Sequence, residues 1–196
     1  MKFGIIKERK NPPDRRVVFT PEELVRLQSE HPEAEIKVES SDIRIFSDDH
    51  YRNLGLNVTT DMTDCDVLFG VKEVPIDALI PNKKYFFFSH TIKKQPYNRK
   101  LLQAILAKNI ELYDHETIVD ATNHRLIGFG RYAGLVGAYN GFRGFGIKYD
   151  LFTLPKAETL NGKEDLIARL KRQTLPNIKI VLTGHGKVGM GAKEIL

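Results

Sequence analysis

The sequence contains a single cysteine, Cys65, among its 196 residues, and it has no long apolar segment. One cysteine excludes an internal disulfide framework and is typical of a reducing compartment, so we predict a cytoplasmic location. No apolar run approaches the roughly 18 to 20 residues that cross a bilayer. The N-terminal segment MKFGIIKERK also lacks the apolar core of a secretory signal. These absences predict that no membrane is among the partners.

Low-complexity tracts, internal repeats and blocks of like charge are also absent. The 30 Lys and Arg residues are interspersed with 25 Asp and Glu residues, and the net charge is +5. A dispersed positive excess favours small anionic ligands over nucleic acid. With 41% hydrophobic and 28% charged residues, the composition is that of a globular protein with a sizeable core. The length suits one domain or one and a half.

Segments with strand and helix patterns alternate along the first two thirds of the chain. Strands are predicted at 2–8, 34–40, 66–74, 83–90 and 110–114, and helices at 21–31, 47–55 and 95–109. Thr20 and Glu23 form a capping-box pattern before the first helix. Residues 115–129 are predicted as a strand–turn–strand excursion with Asn123 near its tip. The alternation predicts an α/β fold with a mostly parallel sheet in a first domain, residues 1–129.

A long helix with a stripe of glycines is predicted at residues 130–150. Gly134, Gly137, Gly141 and Gly144 recur every three or four residues. Because each glycine weakens an isolated helix by about 1 kcal/mol relative to alanine, we expect another part of the protein to pack closely along the stripe. We interpret this segment as a linking helix, followed by a helix at 163–173 and a last strand in IKIVLTG.

The final residues, VLTGHGKVGMGAKEIL, have the pattern of a strand, a glycine-rich turn and the start of a helix. Gly184, Gly186 and Gly189 fit G-x-G-x-x-G. In that pattern the first glycine permits a tight turn, the second admits a pyrophosphate and the third allows close packing of helix and strand. This predicts binding of NAD or NADP, with an incidental turn as the alternative. No acidic residue follows at the expected distance, so we interpret residues 151–196 as the incomplete beginning of an NAD(P)-binding domain.

Several blocks occur in an order that resembles one known superfamily. They include KERKNPPDRRVVFTPEEL, LFGVKEVP, FFFSHTIKKQ, IELYDHETIVD, GFGRYAGLVGAYNGFRGFG and VLTGHGKVGMGA. Together they are similar to the superfamily of alanine dehydrogenase and lysine-forming saccharopine dehydrogenase. Residues 85–146 look most like its lysine–ketoglutarate reductase branch. The resemblance implies two Rossmann-like domains around a cleft, the first completed by a returning C-terminal segment that this sequence does not contain.

The resemblance also implies roles for individual residues. The family's catalytic lysine and histidine fall on Lys72 and His90, both at predicted carboxyl ends of strands. Its substrate-binding arginine falls on Arg16, with Arg15 as the alternative register. Two charged residues that line the family's substrate pocket fall on Lys93 and Glu116. The resemblance implies that Lys93 helps to neutralise 2-oxoglutarate and that Glu116 holds the lysine amine or tunes the neighbouring cations. These five positions are the predicted site.

Each of these residues also has an ordinary structural interpretation. Taken singly, Lys72 and Arg16 fit solvated surface positions and His90 fits a polar strand end; their joint occurrence in family order favours the functional interpretation. A serine nucleophile at Ser89 paired with the adjacent histidine is excluded, because neighbouring strand residues point to opposite faces. No His, Cys and Asp spacing indicates a metal site.

The predicted function is therefore that of an N-terminal part of an NAD(P)-dependent amino-acid oxidoreductase. Formation of saccharopine from lysine and 2-oxoglutarate is favoured. Oxidative deamination of alanine is the first alternative, and a catalytically empty module that binds a substrate or a partner is the second. The partners expected are small-molecule substrates, namely amino acids and 2-oxo acids, and a homo-oligomer is compatible with the resemblance.

Overall fold

The computed structural model describes residues 1–196, which divide into two compact units, Met1–Gly128 and Phe129–Leu196. The first unit contains six β-strands and three α-helices, and the second contains three α-helices. No helix in either unit combines the length and apolar content needed to cross a bilayer. The two units are described separately below.

The first unit is built on a six-stranded parallel sheet. Its strands are β1 (Lys2–Ile5), β2 (Glu35–Glu39), β3 (Asn57–Thr59), β4 (Val67–Phe69), β5 (Lys84–Phe87) and β6 (Glu111–Asp114). Their order across the sheet is β3-β2-β1-β4-β5-β6. In register, Phe3 of β1 lies opposite Ile36 of β2 on one side and Val67 of β4 on the other. This is the strand order of a Rossmann fold, so the predicted α/β class is confirmed.

Three helices connect the strands: α1 (Pro21–Glu30), α2 (Asp48–Asn53) and α3 (Arg99–Ala107). Helix α1 begins as predicted, because the Thr20 side chain accepts from the Glu23 N–H and the Glu23 carboxylate accepts from the Thr20 N–H. Helix α2 has Ser47 as its N-cap and is followed by Gly55 in the left-handed region, at φ 82°. Short 3₁₀ turns lie at Ile76–Ala78, Thr91–Lys93 and Pro96–Asn98.

Apolar side chains pack on both faces of the sheet, as a parallel sheet requires. On one face the core consists of Leu68, Tyr85, Phe87, Leu101 and Ile105 with their neighbours. On the other it consists of Ile5, Leu24, Ile36, Val38, Tyr51 and Leu56. Helix α3 contributes Leu101 and Ile105 to this core, whereas Leu102 and Leu106 are exposed.

Several predictions for the first unit were wrong. The strands predicted at 2–8 and 83–90 end at Ile5 and Phe87. The strand predicted at 66–74 ends at Phe69, where the chain leaves the sheet, and β3 was not predicted. The excursion at 115–129 forms a single antiparallel bridge between Val119 and Arg125 instead of two strands. Asn123 does lie in its turn, in the left-handed region at φ 64°.

The second unit contains α4 (Gly130–Lys148), α5 (Lys163–Lys171), α6 (Lys187–Lys193) and a 3₁₀ turn at Ala157–Thr159. Helices α4 and α6 approach so closely that a Cβ on Gly134 would overlap the Val188 carbonyl oxygen. Gly137, Gly141 and Gly144 face open space instead. The expected close packing along the whole glycine stripe is therefore found at only one of its four glycines.

No strand forms in the segment predicted as the last one. Residues 178–184 have no regular secondary structure and are not part of any sheet, and Val181 is 77% exposed. A β-strand is stabilised by hydrogen bonds to a neighbouring strand, and the second unit contains no strand with which this segment can pair.

The contact between α4 and α6 predicts opposite effects for two matched substitutions. Gly134→Ala places a methyl group against backbone, so we expect the second unit to lose about 1 to 3 kcal/mol of stability. Gly137→Ala adds the same methyl group in open space, so we expect a gain of about 0.5 to 1 kcal/mol from helix propensity. Amide hydrogen exchange of residues 130–196 measures both. Equal protection in the two variants would contradict the packing described.

Buried His115 predicts a pH-dependent part of the stability. Its Nε2 lies 3.1 Å from the Gly70 carbonyl oxygen, and its Nδ1 has no hydrogen-bond partner. Burial, partly opposed by the bond to Gly70, lowers the pKa of His115. The unfolded chain then binds the proton more readily, so the free energy of unfolding contributed by His115 falls as the pH drops through about 6.5 and below.

We expect His115→Gln to remove this dependence. The difference in free energy of unfolding between the native chain and the variant, measured by urea denaturation, should shrink as the pH falls from about 7.5 to about 5. A difference that stays constant over this range would refute the assignment.

Candidate functional site

Polar side chains cluster at the carboxyl edge of the sheet. Because all six strands are parallel, the segments that follow β1, β4, β5 and β6 leave the sheet at the same edge. The chain order reverses between β1 and β4, which is the place where open α/β sheets bind ligands. Four of the five predicted site residues lie in the segments that leave β4, β5 and β6, and Arg16 lies in the loop that follows β1.

His90, Lys93 and Glu116 are brought into direct contact there. The His90 Nδ1 atom lies 3.1 Å from Glu116 Oε2 and 3.3 Å from Lys93 Nζ, and Lys93 Nζ lies 3.2 Å from Glu116 Oε1. A protonated Nδ1 donates to the carboxylate, whereas an unprotonated Nδ1 accepts from the ammonium group. The cluster therefore supports the histidine in either protonation state.

Glu116 is the anionic centre of this cluster. Its side chain is 12% exposed, and it also faces Arg125 Nη1 at 3.5 Å. Burial favours the neutral acid, but hydrogen bonds from His90 and Lys93 and their charges outweigh it, so the pKa of Glu116 is lowered. The carboxylate is thus held ionised beside Lys93, Arg125 and the His90 ring.

A second carboxyl group, on Glu73, lies on the other side of the His90 ring. The distance from His90 Nε2 to Glu73 Oε1 is 3.7 Å, and Lys10 Nζ lies 3.1 Å from Glu73 Oε2. The Oε1 atom is buried and has no hydrogen-bond partner. Sequence reasoning missed Glu73, although its position next to Lys72 after β4 was an available signal. Each ring nitrogen of His90 therefore has a carboxyl group nearby.

Lys72 lies in the segment that leaves β4, and its backbone is held by Glu8. The Glu8 carboxyl group accepts from the Val71 N–H at 2.7 Å and from the Lys72 N–H at 2.9 Å. Burial raises the pKa of Glu8, while the two backbone hydrogen bonds oppose the rise. The Lys72 ammonium group takes part in no ion pair. Sequence reasoning also missed Glu8, whose role depends on a contact 63 and 64 residues away in the chain.

Arg16 is half-buried near the same edge and is bound to Asp14. Its Nε lies 2.9 and 3.2 Å from the two Asp14 carboxylate oxygens. This hydrogen bonding, opposed by burial, lowers the pKa of Asp14, and the charge of Lys72 contributes in the same direction. The adjacent Arg15 is exposed. His90, Lys93 and Glu116 thus form one contact cluster, whereas Arg16 binds Asp14, the acid on which the charge of Lys72 acts.

The glycine-rich turn lies in the second unit. Gly184 has φ 89°, a left-handed conformation that suits glycine, and Gly186 is the N-cap of α6 with open space around it. A Cβ on Gly189 would overlap the Gly184 carbonyl oxygen. The conformation of Gly184 and the close approach of Gly189 to the Gly184 carbonyl oxygen form a tight turn before α6. The preceding segment is not a strand, so only the turn and the start of the helix match the strand–turn–helix pattern of a dinucleotide-binding site. No three potential metal ligands converge anywhere in the structure.

Comparison with known proteins gives relatives along most of the chain. A sequence profile described as alanine dehydrogenase/PNT, N-terminal domain, matches residues 4–136. The alpha-aminoadipic semialdehyde synthase of Arabidopsis thaliana is 30% identical over 214 residues, with 98% of this chain and 20% of the relative covered. The saccharopine dehydrogenase [NAD(+), L-lysine-forming] of Yarrowia lipolytica is 27% identical, with 82% of this chain and 48% of the relative covered.

A solved structure of an L-alanine dehydrogenase shares the fold. Its TM-score is 0.62 at 20% identity, with 99% of this chain and 51% of that structure covered. The chain thus spans between 20% and 51% of the length of these proteins. The profile match covers more than half of the chain, and the fold agrees with it. The chain belongs to the alanine dehydrogenase/PNT N-terminal domain family.

Proposed function

We propose that this chain is the N-terminal part of an NAD(P)-dependent amino-acid oxidoreductase that condenses lysine with 2-oxoglutarate to form saccharopine. The first unit, together with residue 129, is the substrate and catalytic domain. Residues 130–150 are the linking helix, and residues 151–196 begin the NAD(P)-binding domain. The names of the Arabidopsis and Yarrowia relatives and the chain's share of their lengths support this proposal.

The observation that carries the proposal is the contact cluster of His90, Glu116 and Lys93. Condensation of an amine with a ketone requires proton transfer when the amine adds and when water leaves. A histidine that an acid and an ammonium group can support in both protonation states is suited to these steps. His90 is therefore assigned as an acid–base group.

Lys72 is assigned as the second acid–base group. It follows β4 at the edge where His90 follows β5, and its ammonium group takes part in no ion pair. A lysine in this situation can exchange a proton with substrate without first breaking a salt bridge. Glu8 holds the backbone of Lys72, so the side chain starts from a defined position.

The cationic side chains at the edge are assigned to substrate binding. The substrates carry three carboxylate groups between them, and a planar guanidinium group binds carboxylates in a two-point geometry. Arg16 and Lys93 are assigned to these carboxylates. Glu116 is assigned to the lysine amine or to the tuning of its cationic neighbours.

NAD or NADP, when bound, supplies the hydride that reduces the carbon–nitrogen double bond. Gly184, Gly186 and Gly189 are the residues of this chain that we assign to it. The backbone conformation of the turn supports the assignment, and the absence of a strand at 178–184 supports an incomplete nucleotide domain. We accordingly propose that the 196-residue chain alone does not catalyse hydride transfer. A cytoplasmic location and a homo-oligomeric state remain predictions.

A comparison of substrates tests the proposed function. We expect the protein encoded by the complete reading frame to oxidise NADH or NADPH when it is supplied with lysine and 2-oxoglutarate, and the 196-residue chain to be inactive. The alternative, alanine chemistry, predicts oxidation with pyruvate and ammonia instead. The measurement is the absorbance of the reduced cofactor under initial-rate conditions.

Two other outcomes would contradict the proposal. A reading frame that ends at Leu196, together with inactivity toward both substrate pairs, would favour a binding module. Activity with pyruvate and ammonia alone would assign the site to alanine dehydrogenation.

Substitution of the two acid–base groups tests their roles. In the complete protein, Lys72→Met and His90→Gln should each lower kcat by about 100-fold or more, because general acid–base catalysis contributes about 10²- to 10⁴-fold. Cofactor affinity, measured by fluorescence titration of the reduced cofactor, should stay nearly unchanged. The matched controls are Lys100→Met, at an exposed position of α3, and His124→Gln, at an exposed position in a turn. Native turnover in both site variants would exclude these residues as acid–base catalysts.

A further inference from the structure

Asp114, the last residue of β6, contacts both segments that carry the His90–Glu116 pair. It is buried, with 6% of its surface exposed. One carboxyl oxygen, Oδ2, accepts from the Ser89 hydroxyl group, and the other, Oδ1, accepts from the Glu116 N–H at 2.8 Å. A single side chain thus holds the residue before His90 and the backbone of Glu116.

The hydroxyl groups of Ser89 and Thr91, the residues before and after His90, connect Thr91 to Asp114 as well. Ser89 is completely buried, and its only hydroxyl proton is donated to Asp114. Its oxygen is therefore left to accept, and it accepts from the Thr91 N–H at 3.1 Å and from the Thr91 hydroxyl group at 2.7 Å. The backbone on both sides of His90 is consequently tied to Asp114.

The backbone conformation of His90 is a second, independent indication that neighbouring hydrogen bonds fix this residue. His90 lies in the left-handed region at φ 56°, which few residues other than glycine adopt. Such a conformation persists when its surroundings over-determine it. Besides the Ser89 and Thr91 contacts, the buried Asn98 side chain donates to the His90 carbonyl oxygen at 3.2 Å. Hydrogen bonds of Ser89, Thr91 and Asn98 therefore stabilise the left-handed conformation of His90.

We infer that Asp114 is a positioning residue that sets the contact between the His90 ring and the Glu116 carboxylate. It touches neither ring nor carboxylate and acts through the backbones that carry them. Its consequence for turnover rests on the proposed function, whereas its effect on the geometry of the pair does not. No motif of the sequence indicates that Asp114 supports this pair.

The charge state of Glu116 reports the geometry without any turnover. Burial raises the pKa of Glu116, and the hydrogen bonds from His90 and Lys93 lower it further than burial raises it. Arg125 also faces the carboxylate. If the pair separates, the hydrogen bond from His90 weakens, and the pKa of Glu116 rises toward its ordinary value.

The first experiment measures this pKa in the 196-residue chain by carboxyl ¹³C NMR, with Glu116→Gln to assign the signal. In Asp114→Asn the amide nitrogen cannot accept, so either Ser89 or the Glu116 N–H loses its partner. Ser89→Ala removes the tie to His90 and leaves Asp114 in place, so it carries the test if the first variant does not fold. We expect a higher Glu116 pKa in both variants, with the smaller rise in Asp114→Asn, because that variant also removes an acidic group next to Glu116.

Thr117→Val is the matched control. It removes a 3.0 Å hydrogen bond from the exposed Thr117 hydroxyl group to the Asp114 carbonyl oxygen and spares the carboxyl group. We expect no change in the Glu116 pKa. An unchanged Glu116 pKa in both Asp114→Asn and Ser89→Ala, or an equal rise in Thr117→Val, would overturn the inference.

The second experiment measures lysine-dependent turnover of the complete protein. Because misplacement of a reacting group by about 1 Å costs up to about 100-fold, we expect Asp114→Asn to lower kcat by about 10- to 100-fold with little change in the KM for the cofactor. Thr117→Val should retain the native kcat. Native kcat in Asp114→Asn would overturn the inference. Absence of turnover in the unmodified protein would refute the proposed function instead, and the NMR comparison would then decide the role of Asp114.

Discussion

The parallel alignment of all six strands is the constraint on which the site depends. It sends every strand out of the sheet at the same edge, so residues that are far apart in the sequence leave the sheet side by side. His90 and Glu116, for example, are 26 residues apart and in contact. At this edge the strands stop pairing, and backbone N–H groups that would otherwise continue the ladder need other acceptors.

Two buried acids supply these acceptors at two places along the edge. Glu8, after β1, accepts from two N–H groups of the segment that leaves β4, and Asp114, at the end of β6, holds segments that leave β5 and β6. In both cases a carboxyl group from one strand exit binds a neighbouring exit, Glu8 through two backbone N–H groups and Asp114 through the Ser89 hydroxyl group. The side chains assigned to chemistry, Lys72 and His90, are carried by the segments held in this way. The same hydrogen bonds that complete the fold therefore also orient the site.

The second unit depends on close approach of backbones instead of on buried acids. Helices α4 and α6 meet where each lacks a side chain, because a Cβ on Gly134 would overlap Val188 and a Cβ on Gly191 would overlap the Arg131 carbonyl oxygen. Glycine thus costs helix propensity at these positions and permits a contact that no larger residue allows. The remaining glycines of the stripe lose propensity without such a contact in the described residues. The sequence pattern alone did not distinguish these two kinds of glycine.

Local signals were sufficient for much of the fold. The capping box at Thr20 located α1, alternation of strand and helix patterns predicted the parallel sheet, and glycine spacing predicted the turn at Gly184, because each depends on residues within a few positions of one another. The positions of His90, Lys93 and Glu116 at strand ends followed from the resemblance and from the topology it implied. Tertiary structure alone decided which of these residues touch. It also decided the roles of Glu8, Glu73 and Asp114 and the absence of a strand at 178–184, because these features depend on hydrogen bonds between segments that no local pattern brings together.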